Sequence, residues 1–333
     1  MHDENAPSLV IRAAVAAGVL LAVAGVVWWM ALLVTDSDVP TSVASTERVT
    51  SAEAAVEPST AQEPTPVPAS AQTAPTRREP RLVTLSEPVL FNDDLGTGST
   101  EFSAVTLNEA TNRLLIVDDE GQLFEFDLDD QGVPIVPPRR VITIAVGDSD
   151  IEGLAWISAT TYVIAHEATG ELSVIDIDEG QLIVSDSSRS RIIDTQVPEI
   201  DGSGIEGVTH VETIDDVEFV VAVERPPSMI FVDDDGARTR TLPLRLGVDD
   251  VADVWAAGDG SLWVVSDLGR VIVRMQVGAD GSVRQLQQVD LVFGDGQFEQ
   301  PEGLVVSRDG ERLYVVGESP GPGQYSLGVW WLS

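Results

Sequence analysis

The chain has 333 residues, with 55 acidic residues against 19 basic ones, and its formal net charge is −36. So acidic a protein repels the phosphate backbone, which excludes nonspecific nucleic-acid binding. It has no lysine and no cysteine, so disulfides and thiolate-held zinc or iron–sulfur centres are excluded, while a hydrophobic content of 43% suffices for a folded core.

After a short tail (residues 1–12, read as cytoplasmic), residues 13–34 carry no charge and are mostly Ala, Val and Leu. As a helix this run reaches about 33 Å, enough to cross a hydrocarbon core. Trp28 and Trp29 stand near its far end, where indole rings favour the membrane interface. Arg12 precedes the run, and Asp36 and Asp38 follow it. This charge order predicts a single-pass anchor in the cytoplasmic membrane, N-terminus inside and the remainder outside. The competing reading is a cleaved secretory signal. Its apolar region is ordinarily about 7–15 residues, and the nearest small-x-small site, Ala52-Glu53-Ala54, lies well beyond this run.

Residues 35–81 are dominated by Ser, Thr, Ala, Pro, Glu and Val, with prolines at 40, 58, 64, 66, 68, 75 and 80. No apolar period runs through them, so the composition predicts a disordered, semi-extended spacer.

From residue 82 to 333 the text changes to short apolar runs separated by turn signals such as Asp234-Asp235-Gly236, Asp259-Gly260 and Asp309-Gly310. Asp-Gly supplies the positive φ of tight turns. Strict alternation in Gln122-Leu123-Phe124-Glu125-Phe126-Asp127-Leu128 marks a half-buried strand. Asp127-x-Asp129-x-Gln131-Gly132 begins like an EF-hand loop, but its twelfth position is Pro138, so a hairpin turn is the better reading.

Five segments open with a similar step: Ser103-Ala104, Glu152-Gly153, Glu206-Gly207, Asp253-Val254 and Glu302-Gly303, at spacings of 49, 54, 47 and 49. About ten residues after each comes an apolar strand ending in an acid, at 114–119, 162–167, 219–224, 262–267 and 313–318. A period near 50 residues with three or four strands is a propeller blade, and closing the ring removes exposed sheet edges. The fold predicted is all-β: a five-bladed β-propeller over residues 82–333, with 83–91 completing the last blade against 328–332. A β-sandwich is the alternative.

The first strand of a blade lines the central channel, so Glu152, Glu206, Asp253 and Glu302 are expected to converge near one mouth. Asp119, Glu167, Glu224, Asp267 and Glu318 come 14–18 residues later, a spacing that can return the chain to the same end. Converging carboxylates repel, and a hard cation relieves this; calcium accepts about six to eight oxygens with loose geometry. The lack of Cys and scarcity of His disfavour zinc and copper. Glu152, Glu206, Asp253 and Glu302 are therefore the candidate metal ligands, with Glu167, Glu224, Asp267 and Glu318 as secondary candidates. The competing reading is that these acids accept backbone N–H groups and lock adjacent blades.

Ile151-Glu152-Gly153-Leu154-Ala155-Trp156, Ile205-Glu206-Gly207-Val208 and Gln300-Pro301-Glu302-Gly303-Leu304, the last followed by Val315-Val316-Gly317-Glu318-Ser319-Pro320, resemble the SdiA-regulated family of bacterial β-propellers. That family looks distantly like NHL-repeat and strictosidine synthase-like propellers. The resemblance implies five blades, an N-terminal membrane or signal segment and a calcium ion in the propeller. The first and fourth repeats depart from the Glu-Gly pattern.

Two functions follow as expectations. The first is a membrane-anchored, non-catalytic propeller that binds an unknown ligand or protein partner at its mouth, with calcium. The second is a calcium-dependent hydrolase of a lactone, ester or phosphoester. Against the second, Asn occurs only at 5, 92, 108 and 112, Lys is absent, and no Gly-x-Ser-x-Gly elbow or P-loop is present. His166 and His210 are the only histidines beyond the N-terminal tail, and either a catalytic or a packing role fits them.

Overall fold

The computed structural model describes residues 84–91, 95–97, 101–147, 150–197, 199, 203–212, 214, 216–278, 280–291, 300–318 and 326–333. The tail, anchor and spacer expected over residues 1–81 lie outside the described residues. Among the described residues no helix is long and apolar enough to cross a membrane.

A short strand, β1 (Val89–Phe91), precedes the first blade. Blade I holds β2 (Phe102–Asn108), β3 (Arg113–Asp118), β4 (Gln122–Asp127) and β5 (Arg140–Ala145). Blade II holds β6 (Ile151–Ser158), β7 (Thr161–His166), β8 (Glu171–Asp176) and, after the inserted β9 (Ile183–Ser185), β10 (Arg189–Asp194). Blade III is β11 (Ile205–His210), β12 (Phe219–Val223), β13 (Ser228–Val232) and β14 (Arg238–Pro243). Blade IV is β15 (Asp253–Ala256), β16 (Ser261–Ser266), β17 (Val271–Val277) and β18 (Val283–Asp290). Blade V takes β19 (Gln300–Val306), β20 (Arg312–Glu318) and β21 (Leu327–Trp331), and β1 joins it as the fourth strand.

The innermost strands meet in sequence: β2 on β6, β6 on β11, β11 on β15, β15 on β19, and β19 back on β2. The ring is therefore closed. Closure comes from β1 pairing with β21, Val89 opposite Val329 and Phe91 opposite Leu327, as the sequence predicts. The seam continues through a Leu85–Leu332 bridge and reciprocal backbone bonds between Thr84 and Ser333 at 3.0 and 3.1 Å.

Sequence period explains the layers. The second strands are apolar on both faces because each is sandwiched between neighbouring blades; β12 and β16 are buried along their whole length. The outermost strands alternate, as in β5, and face water on one side. Five apolar cores result, one at each blade boundary, built around residues such as Phe231, Tyr314, Ile164, Val221 and Trp330. Each fully buried Val, Leu or Phe contributes about 1.5–3 kcal/mol of hydrophobic stabilisation. The Asp-rich segments are turns. Asp129 Oδ1 accepts the Gln131 and Val133 N–H groups at 2.8 Å, and Asp233 Oδ1 does the same for Asp235 and Ala237. Gly132 and Gly236 take the positive φ these turns need, +79° and +83°.

One element was not legible from the repeat. β9 lies in the loop between the last two strands of blade II, yet pairs in parallel with β5 of blade I, Thr143 opposite Ile183. It covers an otherwise open sheet edge and straps two blades together.

Candidate metal centre

The Glu-Gly step is a β-bulge. Pairing of the first two strands slips between Ile151 and Gly153, between Ile205 and Gly207, between Pro301 and Gly303, and between Phe102 and Ala104. The extra residue is Glu152, Glu206, Glu302 or Ser103. A bulge re-aims the side chain it carries, and these four line one cavity at the N-terminal ends of the innermost strands.

The glycine of the step has its own cause. A Cβ on Gly153 would sit 2.9 Å from the Val208 nitrogen, and one on Gly303 would sit 2.9 Å from Ala104 Cα. Neighbouring innermost strands approach closely here, so in blades II and V glycine removes a side chain that would meet the next blade's backbone. Threonines reinforce the contact further along: Thr106 Oγ1 accepts the Trp156 N–H at 2.9 Å, and Thr209 Oγ1 accepts the Ala256 N–H at 3.0 Å.

Strand register aligns the blades better than lettering does. Ala104, Gly153, Gly207, Asp253 and Gly303 are paired with Val117, Ala165, Ala222, Val265 and Val316. Two residues past each partner stands the second acid: Asp119, Glu167, Glu224, Asp267 and Glu318. Asp253 thus occupies the glycine position, and Ala252 occupies the glutamate position. The cavity is lined accordingly by Ser103, Glu152, Glu206, Ala252 and Glu302 in one tier and by Glu167, Glu224, Asp267 and Glu318 in the next. Its volume is about 210 Å³.

Asp253 does not join the cavity. It is buried, and its carboxylate accepts the Val254 N–H at 2.7 Å and, across the blade boundary, the Leu304 N–H at 2.9 Å. Of the nine acids singled out, this one locks blades. Two acids that the repeat reading missed take part instead. Asp250 lines the cavity, held by Ser266 Oγ at 2.5 Å and the Leu268 N–H at 3.1 Å. Asp150 brings its carboxylate within 4.8 Å of those of Glu152 and Glu167, from a backbone with φ +50°. A signal for both existed: each stands two residues before the bulge position, as Gln300 does before Glu302.

The electrostatics are those of an uncompensated anion cluster. Burial, then Glu167, Asp150 and Asp119, pushes the Glu152 carboxyl up to about 8. Burial, then Asp250 and Glu318, lifts Asp267 to about 6. Glu302 is raised well above the carboxylate range by burial and then by Asp267 and Glu152. Glu206 is raised by burial, with Glu152 and Glu167 adding to it. The neighbouring Glu167 carboxyl favours the protonated form of Glu206. Arg225 offsets one member, 2.5 Å from Glu224. Asp119 Oδ1 and Glu167 Oε1 are buried with no hydrogen-bond partner.

The donors fit a hard cation. They are carboxylates, the Ser103 hydroxyl and the Gln300 amide, with no imidazole or thiolate among the lining residues. Orphaned carboxylate oxygens are the atoms such an ion would satisfy. His166 is buried elsewhere, 3.2 Å from Ser173 Oγ, and His210 stands at the far end of the channel.

Among solved structures, the fold is similar to a chain of a mitotic checkpoint complex (13% identity, 69% of this chain and 61% of that one, TM-score 0.41). It is likewise similar to the Cps50 (Swd1) β-propeller domain of Myceliophteria thermophila (14%, 71% and 65%, TM-score 0.38) and to a protein from Lactobacillus plantarum (18%, 68% and 69%, TM-score 0.39). The chain spans less than two thirds of the first two. At such scores these likenesses add nothing to the architecture described above. No curated protein matches the sequence. A family model described as SdiA-regulated matches residues 90–322. The repeated Glu-Gly bulges fall within that span, the closing strand Leu327–Trp331 lies just beyond it, and the chain belongs to the SdiA-regulated family.

Proposed function

We propose that this protein is a membrane-anchored, extracytoplasmic propeller that holds a calcium ion at its acidic mouth and there binds a ligand or protein partner without catalysis. One observation carries the reading. Bulges turn Glu152, Glu206 and Glu302 of three blades into one cavity, a fourth blade adds Asp250 and Asp267, and two buried oxygens, Asp119 Oδ1 and Glu167 Oε1, have no partner. An anion cluster so poorly compensated is costly unless a cation completes it. Calcium fits the oxygen donors and their irregular arrangement better than magnesium, which demands near-octahedral geometry. Residues 13–34 supply the anchor.

Thermal unfolding of the chelated protein, with calcium or magnesium added back, tests this. A cation bound only by the folded state stabilises by about 2.7 kcal/mol at 100 times its Kd. A calcium-specific rise that disappears in Glu152→Gln/Glu302→Gln supports the reading. No rise would leave the acids without a metal role.

A hydrolase is the second reading. Burial and neighbouring acids push the Glu152 carboxyl up to about 8, the range of a general acid–base group. Calcium-dependent turnover of lactone, ester or phosphoester substrates, lost in Glu152→Gln, would favour it over simple binding.

A further inference from the structure

A second cavity, of about 420 Å³, opens at the C-terminal ends of the innermost strands, the far end of the channel from the carboxylates. The volume is that of a small-molecule site. Every blade reaches it. Its lining includes Trp156, Trp255, His210 and apolar Leu107 and Val305. Glu109, Glu212 and Arg308 also line it.

The charges decide what it takes. Arg308 lies 3.7 Å from Glu109, so these two offset each other. His210 packs its ring 5.9 Å from Phe219, and burial lowers its pKa against the opposing pull of Glu212 and Glu218. With that imidazole neutral, exposed Glu212 leaves the cavity net negative. Trp156 lines the cavity while packing against the apolar core between blades I and II, and its indole N–H is buried without a partner. Two indoles and an offsetting carboxylate suit a cation with an apolar body. The field of a chain carrying −36 concentrates such cations.

We infer that this cavity binds a small organic cation, an alkylated ammonium, with Trp156 and Trp255 as its aromatic walls and Glu212 as its counter-charge. A neutral sugar would also stack on indoles, but it would gain nothing from the negative field. The test is calorimetric titration of the purified full-length protein, at saturating calcium, with choline and with its uncharged isostere 3,3-dimethylbutan-1-ol. Choline is expected to bind saturably and at least about tenfold more tightly than the isostere. Trp255→Ala should abolish binding. Glu212→Gln, an exposed change that leaves the fold intact, should weaken choline several-fold and leave the isostere unaffected. Glu302→Gln, in the acidic mouth, should leave choline binding unchanged. Equal binding of the two probes, loss of choline binding in Glu302→Gln, no choline binding at all, or binding of methyl glycosides in its place would each overturn the assignment.

Discussion

Asp253 reaches across a blade boundary to accept the backbone N–H of Leu304 at 2.9 Å, from the position that glycine occupies in blades II, III and V. Where those three blades close the ring by having no side chain, this one closes it with a buried carboxylate tie. Its pKa is raised well above the usual range by burial, partly offset by the two backbone donors.

Removing that tie should cost stability and leave metal binding untouched. Asp253→Ala strands the Leu304 and Val254 N–H groups in a buried site, at about 1–3 kcal/mol each. A lower denaturation midpoint with an unchanged calcium response is expected. A lost calcium response with normal stability would return Asp253 to the ligand set.

Neutralising a clustered acid should do the reverse. In chelator, Glu206→Gln or Glu302→Gln removes like-charge repulsion, so the melting temperature is expected to rise while the stabilisation by calcium shrinks. Parallel melts of the wild type and both variants, with and without calcium, measure the two effects. A fall in chelator would mean that the carboxylates are satisfied by partners within the protein.

The metal-free protein should lose stability as pH rises. Glu152 and Asp267 carry folded-state values of about 8 and 6, above their ordinary ones of 4.5 and 3.8. The native state therefore holds more protons than the unfolded chain between those limits, and unfolding free energy falls across that window. Calcium displaces these protons, so its affinity should climb over the same range. Melts from pH 5 to 9 in chelator and in calcium check both trends. A chelated protein that is equally stable throughout would count against the cluster's shared protonation.

On the outside of blade I, buried Glu125 lies 2.8 Å from Arg140 and 3.3 Å from Arg113, and Arg113 in turn reaches Glu179 of blade II at 2.9 Å. Deleting the central acid leaves largely buried Arg140 without a carboxylate, while Arg113 keeps Asp127 and Glu179. Glu125→Ala is expected to cost about 2–4 kcal/mol by urea denaturation. A loss under about 1 kcal/mol would assign the network to solvent-screened surface charge.

The narrow axis makes a matched pair of glycine tests. In Gly303→Ala the new methyl would meet Val316 Cγ2 at 2.8 Å and Ala104 Cα at 2.9 Å, so about 1–3 kcal/mol should be lost. Gly258→Ala meets nothing within 4 Å and should stay within about 0.5 kcal/mol of wild type. Comparable losses at both sites would contradict a steric role for the bulge glycines.

Much of this was legible in the sequence. The five-fold period, the closing strand and the convergence of Glu152, Glu206 and Glu302 follow from repeat spacing and from the rule that a blade's first strand lines the channel. Asp253 misled because letters were aligned where register matters. Paired with Val265, Asp253 stands at the glycine position of its blade, one residue after the bulge glutamates, and turns into the blade boundary. Asp150 and Asp250 were visible as alternating partners of the bulge position, but loops before strands carry no period that flags them. β9 left no signal, since three residues pairing with another blade look like any loop. The far cavity mixes side chains from all five blades and has no motif.

The seam between β1 and β21 joins segments at opposite ends of the fold, with Ser86 Oγ bonded to the Trp331 N–H at 2.9 Å, 245 residues along the chain. No earlier blade can complete the circle in its place. During synthesis, blades I to IV can each form from local hairpins, but they remain an open arc until the last strand emerges. Until then β19 and β2 lack each other as neighbours, and the apolar face of blade I that later covers Tyr314 and Leu327 stays wet. Assembly of the acidic mouth therefore waits on the final segment, so a cation that needs carboxylates from blades II, III and V is captured only by a finished molecule.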